Sequence, residues 1–425
     1  MQSKFPSEWL PKKLDELGFV GRGKSRHRPR DDTVLYGGKH PFFQTSDIKN
    51  ANLYITKYSQ TYNEKGLAQS KLWKPGTLVI TIAGANTGEA GILGIQGCFP
   101  DSIIAFIADT TKADVRFIKY YIDYLKIQLQ SISRGTTQNN LSLNKLLSLD
   151  LVVPKIEIQR KIGDILSQFD ILIESYLAQI ELLQKLANII YDEWFIHFRH
   201  MNNETKDILQ IQVADGTIPN DWKRGVIGDL CNVESGYAFK STSFQNDGEF
   251  GIIKISNLQS NFVDIENVQY VQSFTGNKSQ FELFEGDILI AMTGAQIGKI
   301  GLMPRLNRRF LLNQRVGKLS PKDVFYKPYL YQIFSSDRVS QLVKKVAHGA
   351  AQPNISGRDI EDLPVIIPPS DLLKEYAAVC SPVLKQITFL VHEISLLKKM
   401  RDLLLPKLIS GQINLCCTNI HSRGD

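Results

Sequence analysis

Cysteine is scarce, at five residues in 425. Cys98, Cys231, Cys380, Cys416 and Cys417 form neither a C-x-x-C pair nor another spacing that holds zinc, and they are too sparse for a disulfide framework. Free thiols of this kind suit a reducing cytoplasm. Uninterrupted apolar runs of membrane-spanning length are also missing, and the opening residues do not read as a secretory signal. The seven histidines (His27, His40, His197, His200, His348, His392 and His421) show no metal-ligand spacing. No nucleophile elbow and no clustered carboxylates appear, so the chain is expected to bring no catalytic group, metal or cofactor of its own.

What is present is a repeat. Residues 134–170 return in altered form at 348–384, 214 residues later. TIAGANTGEAGIL (81–93) matches AMTGAQIGKIGLM (291–303) at an offset of 210, and FPSEW (5–9) matches IPNDW (218–222) at 213. Offsets this steady imply one ancestral unit present twice. The length is too great for one core, and 43% apolar with 22% charged residues reads as ordinary folded protein. A net charge of +7 with pI near 8.9 favours a polyanionic partner.

The chain divides into residues 1–155, 156–213, 214–369 and 370–425. The first and third segments alternate short β-rich runs with Gly, Pro and Asn. TLVITIAG (77–84) and DILIAMTG (287–294) read as strands entering a glycine turn, and PFFQTSDI (41–48) and GIIKISNL (251–258) as a second matched strand pair. One helix is expected over 114–131 and another over 327–345. Each segment is thus a compact, mostly-strand α/β domain.

The other two segments change period. Ile162, Leu166, Phe169, Ile173, Tyr176, Ile180, Leu183, Ala187, Ile190 and Trp194 alternate steps of four and three, which keeps one seam toward a partner helix. The equivalent positions are Tyr376, Cys380, Val383, Ile387, Leu390, Ile394, Leu397, Arg401, Leu404 and Leu408. Arg401 alone breaks the seam; its stem is expected to pack while its charge reaches water. Pro154 precedes the first helix, and Pro368 and Pro369 the second, with Ser370 or Asp371 as candidate cap. Pairing the matched seams gives an antiparallel coiled coil, roughly 50 Å long at 1.5 Å per residue.

Candidate contacts lie in the loops. RGKSRHRPR (22–30) places Arg22, Lys24, Arg26, Arg28 and Arg30 in what reads as a mobile loop suited to phosphate or guanine. The second copy is far less basic there but has Arg305, Arg308, Arg309 and Arg315. Gln44, Ser46, Asp47 and Lys49, with counterparts Lys254, Ser256, Asn257 and Gln259, are polar candidates beside matched strands, though ordinary solvation explains them equally well. TGAQIGKIG (293–301) is not an ATP loop: three residues separate Gly294 from Gly298, and Ile300 follows Lys299 where Ser or Thr is needed. A tight turn fits better, with Lys299 in one copy and Glu89 in the other, and Lys299 joins the contact candidates. Gln138 and Asn140, like Gln352 and Asn354, either cap turns or touch a ligand.

Taken in order, these features resemble the specificity subunit of a type I restriction-modification enzyme over nearly the whole chain. Trp9 and Trp222 open the two domains. Gly84 with Gly88, and Gly294 with Gly298, form T-G-x-x-x-G-like turns, the first reading A-G-A. Gln138-Asn139-Asn140-Leu141 and Gln352-Pro353-Asn354-Ile355 precede exits at Pro154 and Pro368. The resemblance implies two target recognition domains, each reading half of a split, asymmetric DNA site, on helices that act as spacer and as dock for two methyltransferase subunits. S-adenosylmethionine would sit on those subunits, and ATP with Mg²⁺ on restriction/translocase subunits. The N/D-P-P-Y/F signature of adenine methyltransferases is absent here, so this chain would confer specificity without chemistry. A duplicated coiled-coil scaffold that reads no DNA is the alternative.

Overall fold

Apolar, β-branched runs build the same sheet twice. The computed structural model describes residues 5–134, 141–199, 210–213, 216–259, 261–276, 278–347 and 353–415. Gly135 to Asn140, His200, His348, Gly349 to Gln352, Cys416, Cys417 and His421 lie outside them. The chain forms two compact units, residues 1–175 with 397–425, and residues 176–396.

In the first unit a five-stranded sheet has the spatial order Gly18–Arg22, Ile103–Ala108, Leu78–Thr81, Ala90–Leu93, Tyr54–Ile55. Neighbours are antiparallel except the last pair, which is parallel. Leu78–Thr81 and Ala90–Leu93 are buried at every position, so they read as continuous runs rather than alternations. A smaller sheet pairs Tyr36–Phe42 with Gln60–Tyr62. The amphipathic helix Val115–Arg134 closes the core, where Trp9, Phe106, Phe117, Tyr121, Ile162, Leu166 and Leu408 meet.

The second unit repeats the order as Cys231–Ser235, Val316–Pro321, Ile288–Ala291, Ile300–Leu302, Asn261–Val263, then adds Leu258–Gln259 at the edge. The parallel contact again falls between Asn261–Val263 and its neighbour. The smaller sheet has grown to four strands: Gln269–Val271, Phe250–Ile253, Arg309–Leu312 and Glu282–Leu283. Leu10–Lys12 pairs with Leu151–Val153 in one unit, and Lys223–Val226 with Pro364–Ile367 in the other. Each opening strand therefore meets the strand that leads out to a long helix.

Three local expectations change. Of the 41–48 stretch only Pro41 and Phe42 are strand, and the 251–258 stretch is strand at Gly251 to Ile253 and again at Leu258. Thr45–Lys49 and Ile255–Asn257 are helical turns, because Asp47 and Asn257 accept the N–H groups of Gln44 and Lys254 at 2.7 and 2.9 Å. The 327–345 helix is two helices, Lys327–Ser335 and Asp337–Ala347. Ser336 separates them in an extended conformation, its hydroxyl donating to the Ile333 carbonyl at 2.6 Å, a local bond that competes with the helix. The second long helix starts at Ser370, so Pro369 takes the cap position, and its carbonyl accepts from Leu373 N–H at 3.1 Å.

The long helices are Ile156–Tyr191, continued by a π-turn Asp192–Ile196, and Ser370–Ile409. Every seam position of both is buried or half-buried. Pairing in the first unit runs antiparallel: Lys161 donates to the Leu415 carbonyl, while Asp170, further along, meets Arg401. In the second unit Tyr376, near the start of one helix, packs on Trp194 and Phe195 at the end of the other, with ring centroids 5.8 and 4.8 Å apart. The Trp222 ring covers Phe195 at 5.9 Å. Arg401 corrects the expectation made for it. Its guanidinium bonds Asp170, which is fully buried and also accepts the Tyr120 hydroxyl. Burial works against the charged guanidinium, but Asp170 and Asp402 more than offset this and hold Arg401 above its ordinary pKa.

Candidate nucleic-acid interface

The basic segment of the first unit is anchored rather than mobile. Ser70 donates to the Lys24 carbonyl, the Gln69 side-chain oxygen accepts from Arg26 and His27 N–H, and His27 meets Asp32 at 2.7 Å. Asp101 draws three of the five cations inward. Arg30 pairs with its carboxylate at 2.6 Å and Arg28 at 3.9 Å, and Arg22 donates to its carbonyl at 2.7 Å. Arg28 also donates to the Ser25 and His27 carbonyls. Only the side chains of Lys24 and Arg26 have no partner among the described residues; Arg26 is exposed and Lys24 half-buried.

The matched polar residues divide by burial. Asp47 and Asn257 cap their turns. Asn257, 3% exposed and also donating to the Asn267 carbonyl, is withdrawn from the surface, so its placement among the contact residues is corrected. Gln44 donates to Gln60 at 2.7 Å; at the equivalent place Lys254 donates to Gln269 and lies over the Phe244 ring, and burial lowers its pKa. Ser46, Lys49, Ser256 and Gln259 are exposed.

Two of the second unit's four candidate arginines are already matched by acids far away in sequence. Arg309 makes a bidentate contact with Glu282 (2.7 and 3.1 Å) and reaches Glu249 at 3.4 Å; Arg308 pairs with Asp247 at 3.0 Å and covers the Tyr270 ring. Arg305 and Arg315 are exposed and have no carboxylate partner among the described residues.

The glycine turns are conformational, as expected. Gly84, Gly88, Gly294 and Gly298 have φ of +72, +84, +75 and +79°, a region that side chains disfavour. Beside each turn passes a helix, and here the copies part. In the first unit Glu89 is neutralised by Lys126 at 2.8 Å. In the second, Lys299 and Lys344 line a depression of about 340 Å³ together with Ser340, Gln296 and Asn261. Neither lysine has a carboxylate partner among the described residues. Lys344 was absent from the expected contacts, although a lysine where a salt-bridged Glu89 stands in the other copy was a legible hint of a changed environment. Gly294 N–H donates to the Pro353 carbonyl at 2.9 Å and Ile355 N–H to the Met292 carbonyl at 3.0 Å, and in the first unit Leu141 N–H donates to the Ile82 carbonyl at 2.8 Å. Gln138, Asn140 and Gln352 lie outside the described residues.

Among the described residues no group of three or more His, Cys, Asp or Glu is placed to hold a metal, and no helix is long and apolar enough to cross a membrane. Cys98, Cys231 and Cys380 are free and buried. His27 and His40 each meet a carboxylate, and His197 is exposed at a helix end.

Comparison with known proteins matches the repeat as a repeat. A family model described as the type I restriction modification DNA specificity domain fits residues 6–183 and again residues 219–399. The MjaIX specificity subunit of Methanocaldococcus jannaschii is 25% identical over 426 residues, spanning 97% of this chain and 95% of its own length. The EcoKI specificity subunit of Escherichia coli strain K12 is 21% identical, spanning 88% and 81%. A solved type I restriction-modification S subunit from M. genitalium has the same fold, with TM-score 0.60, 17% identity and coverage of 95% of this chain and 98% of that one. These matches tell against a scaffold that reads no DNA. The chain belongs to the specificity subunits of type I restriction-modification systems.

Proposed function

We propose that residues 1–155 and 214–369 each read one half of a split, asymmetric duplex site, and that the long helices dock two methyltransferase subunits. The observation that carries this reading is the contrast between a main sheet repeated in the same strand order and the unpaired cations around it. Lys24, Arg26 and Lys49 are offered by one unit, and Lys299, Lys344, Arg305 and Arg315 by the other. Such cations attract phosphates whatever the sequence. Polar neighbours such as Ser46, Ser256 and Gln259 reach bases, each bidentate pair giving about 1–3 kcal/mol of discrimination. Docking is supported by apolar side chains left outside the seam: Leu182, Ile189 and Leu403 are 64, 60 and 67% exposed. The partner subunits carry S-adenosylmethionine, and restriction/translocase subunits carry ATP and Mg²⁺, while this chain works in the cytoplasm and contributes no reacting group.

The test is selection from random-sequence duplexes by the chain assembled with its modification subunits, followed by sequencing. A bipartite enriched site is expected; Ser256→Ala with Gln259→Ala should relax one half only, whereas Arg305→Ala with Arg315→Ala should weaken binding and lower its salt dependence whatever the sequence. A pool without enrichment would return the duplicated scaffold to favour.

A further inference from the structure

A chain built twice faces an ambiguity that an unrepeated chain does not. Its two helical seams match, so either long helix could pair with the same helix of a second copy as readily as with its own neighbour. The Asp170 site breaks that equivalence. Asp170 is fully buried and takes bonds from Arg401 on the other long helix and from Tyr120 on Val115–Arg134. Shifted by one repeat, Asp170 becomes Leu384 and Arg401 becomes Ala187, which are 8% and 3% exposed. In the antiparallel register that sets Asp170 beside Arg401, first helices of two copies would set each Asp170 beside an Ala187. Second helices would set each Arg401 beside a Leu384. The first arrangement buries two carboxylates without their cation. The second leaves each Arg401 with Asp402, an exposed neighbour on its own helix that it also bonds here, so Asp170 carries most of the discrimination.

We infer that the Asp170–Arg401 pair selects pairing of the two unlike helices within one chain and rejects pairing of like helices between two copies of it. A buried ion pair adds little net stability over well-packed apolar residues, but a buried charge deprived of its partner is strongly unfavourable, which suits the pair to specifying partners. The equivalent site in the second unit shows the apolar solution that this frame accepts.

The experiment uses the full chain carrying two different affinity tags, mixed, unfolded in denaturant and refolded together. Double-tag capture and mass in solution count the intermolecular product. Asp170→Leu with Arg401→Ala copies the apolar site into the first unit, and Asp170→Arg with Arg401→Asp keeps a pair with its signs exchanged. The apolar variant is expected to fold with unchanged helix content and to give about tenfold more double-tagged species, the change that about 1.4 kcal/mol of lost discrimination produces. The exchanged pair should stay near the native level. Equal capture for all three chains would overturn the inference, as would an exchanged pair that swaps as freely as the apolar variant. An apolar variant that does not fold would also overturn it, by making the pair a requirement for stability. None of these readouts involves DNA.

Discussion

Where the long helices meet the rest of each unit, the two copies reach the same packing by different chemistry. The first uses a carboxylate, a guanidinium and a phenol. The second has Leu384 and Ala187 at the equivalent helix positions, and nearby a neutral bond from Gln332 to Asn188. Both versions leave the sheet order, the glycine turns and the opening tryptophans intact. Duplication lets the frame be held by geometry, while charge is redistributed according to what each copy must touch. The same rule operates at the turns, where the salt bridge Glu89–Lys126 of one unit is replaced by two unpaired lysines in the other.

Arg401→Ala is the sharpest way to separate the two helix sites. It strands Asp170 without its cation and should destabilise the first unit by about 3–5 kcal/mol. Burial, together with the Asp170 charge, raises the Tyr120 pKa and keeps the phenol neutral, so it goes on donating its hydrogen bond but brings no positive charge. Hydrogen exchange should accelerate over residues 115–134 and 156–175, while residues 176–191 and 288–321 keep their protection. Unchanged exchange in the first unit would mean that Asp170 is not dry, and the contrast between the sites would collapse.

A second substitution moves the first unit's chemistry into the other. Lys299→Glu with Ser340→Lys recreates the pairing of Glu89 with Lys126, since the helix contacts of Gly88 and Gly298 align Lys126 with Ser340. Folding should be unaffected, because the first unit already tolerates this pair. If Lys299 touches phosphate, duplex affinity should fall and the slope of log affinity against log salt should drop by about one. An identical slope would place the depression outside the DNA path and leave Arg305 and Arg315 as the second unit's cations.

How far the sequence could be read follows from the range of the interactions. The heptad seam and the glycine turns depend on neighbours a few residues apart, and both were legible. The fate of Arg401 was not. Its partner lies 231 residues away, and Asp170 sits just beside a seam position, where it reads as one more solvated carboxylate. Arg308 and Arg309 looked free for the same reason, since Asp247 and Glu282 reach them only through the grown second sheet. Asn257 shows a subtler limit: a polar residue three places into a short turn reads the same whether it faces solvent or closes the cap. The repeat offered a control there, because Asp47 holds the equivalent place and accepts the equivalent N–H.

The smallest difference between the units is a single cap. Ser142 accepts Lys145 N–H at 3.2 Å at the start of Leu143–Leu147, a one-way bond. Ser356 accepts Asp359 N–H at 3.1 Å at the start of Gly357–Glu361, and the Asp359 carboxylate returns the bond to Ser356 N–H at 2.8 Å. The Ser356 hydroxyl and N–H hold the Asp359 pKa below its ordinary 3.8. A folded value below the unfolded one stabilises the protein above the unfolded value and is lost as pH falls through the folded value. Asp359→Asn should therefore cost the second unit about 0.3–1 kcal/mol at neutral pH and nothing once the native carboxylate is protonated. Lys145→Asp should give the first unit a similar gain over the same pH range. Exchange at residues 357–361 and 143–147, compared at neutral and acid pH, measures both. A pH-independent loss for Asp359→Asn would mean that the side chain acts there by shape rather than by charge.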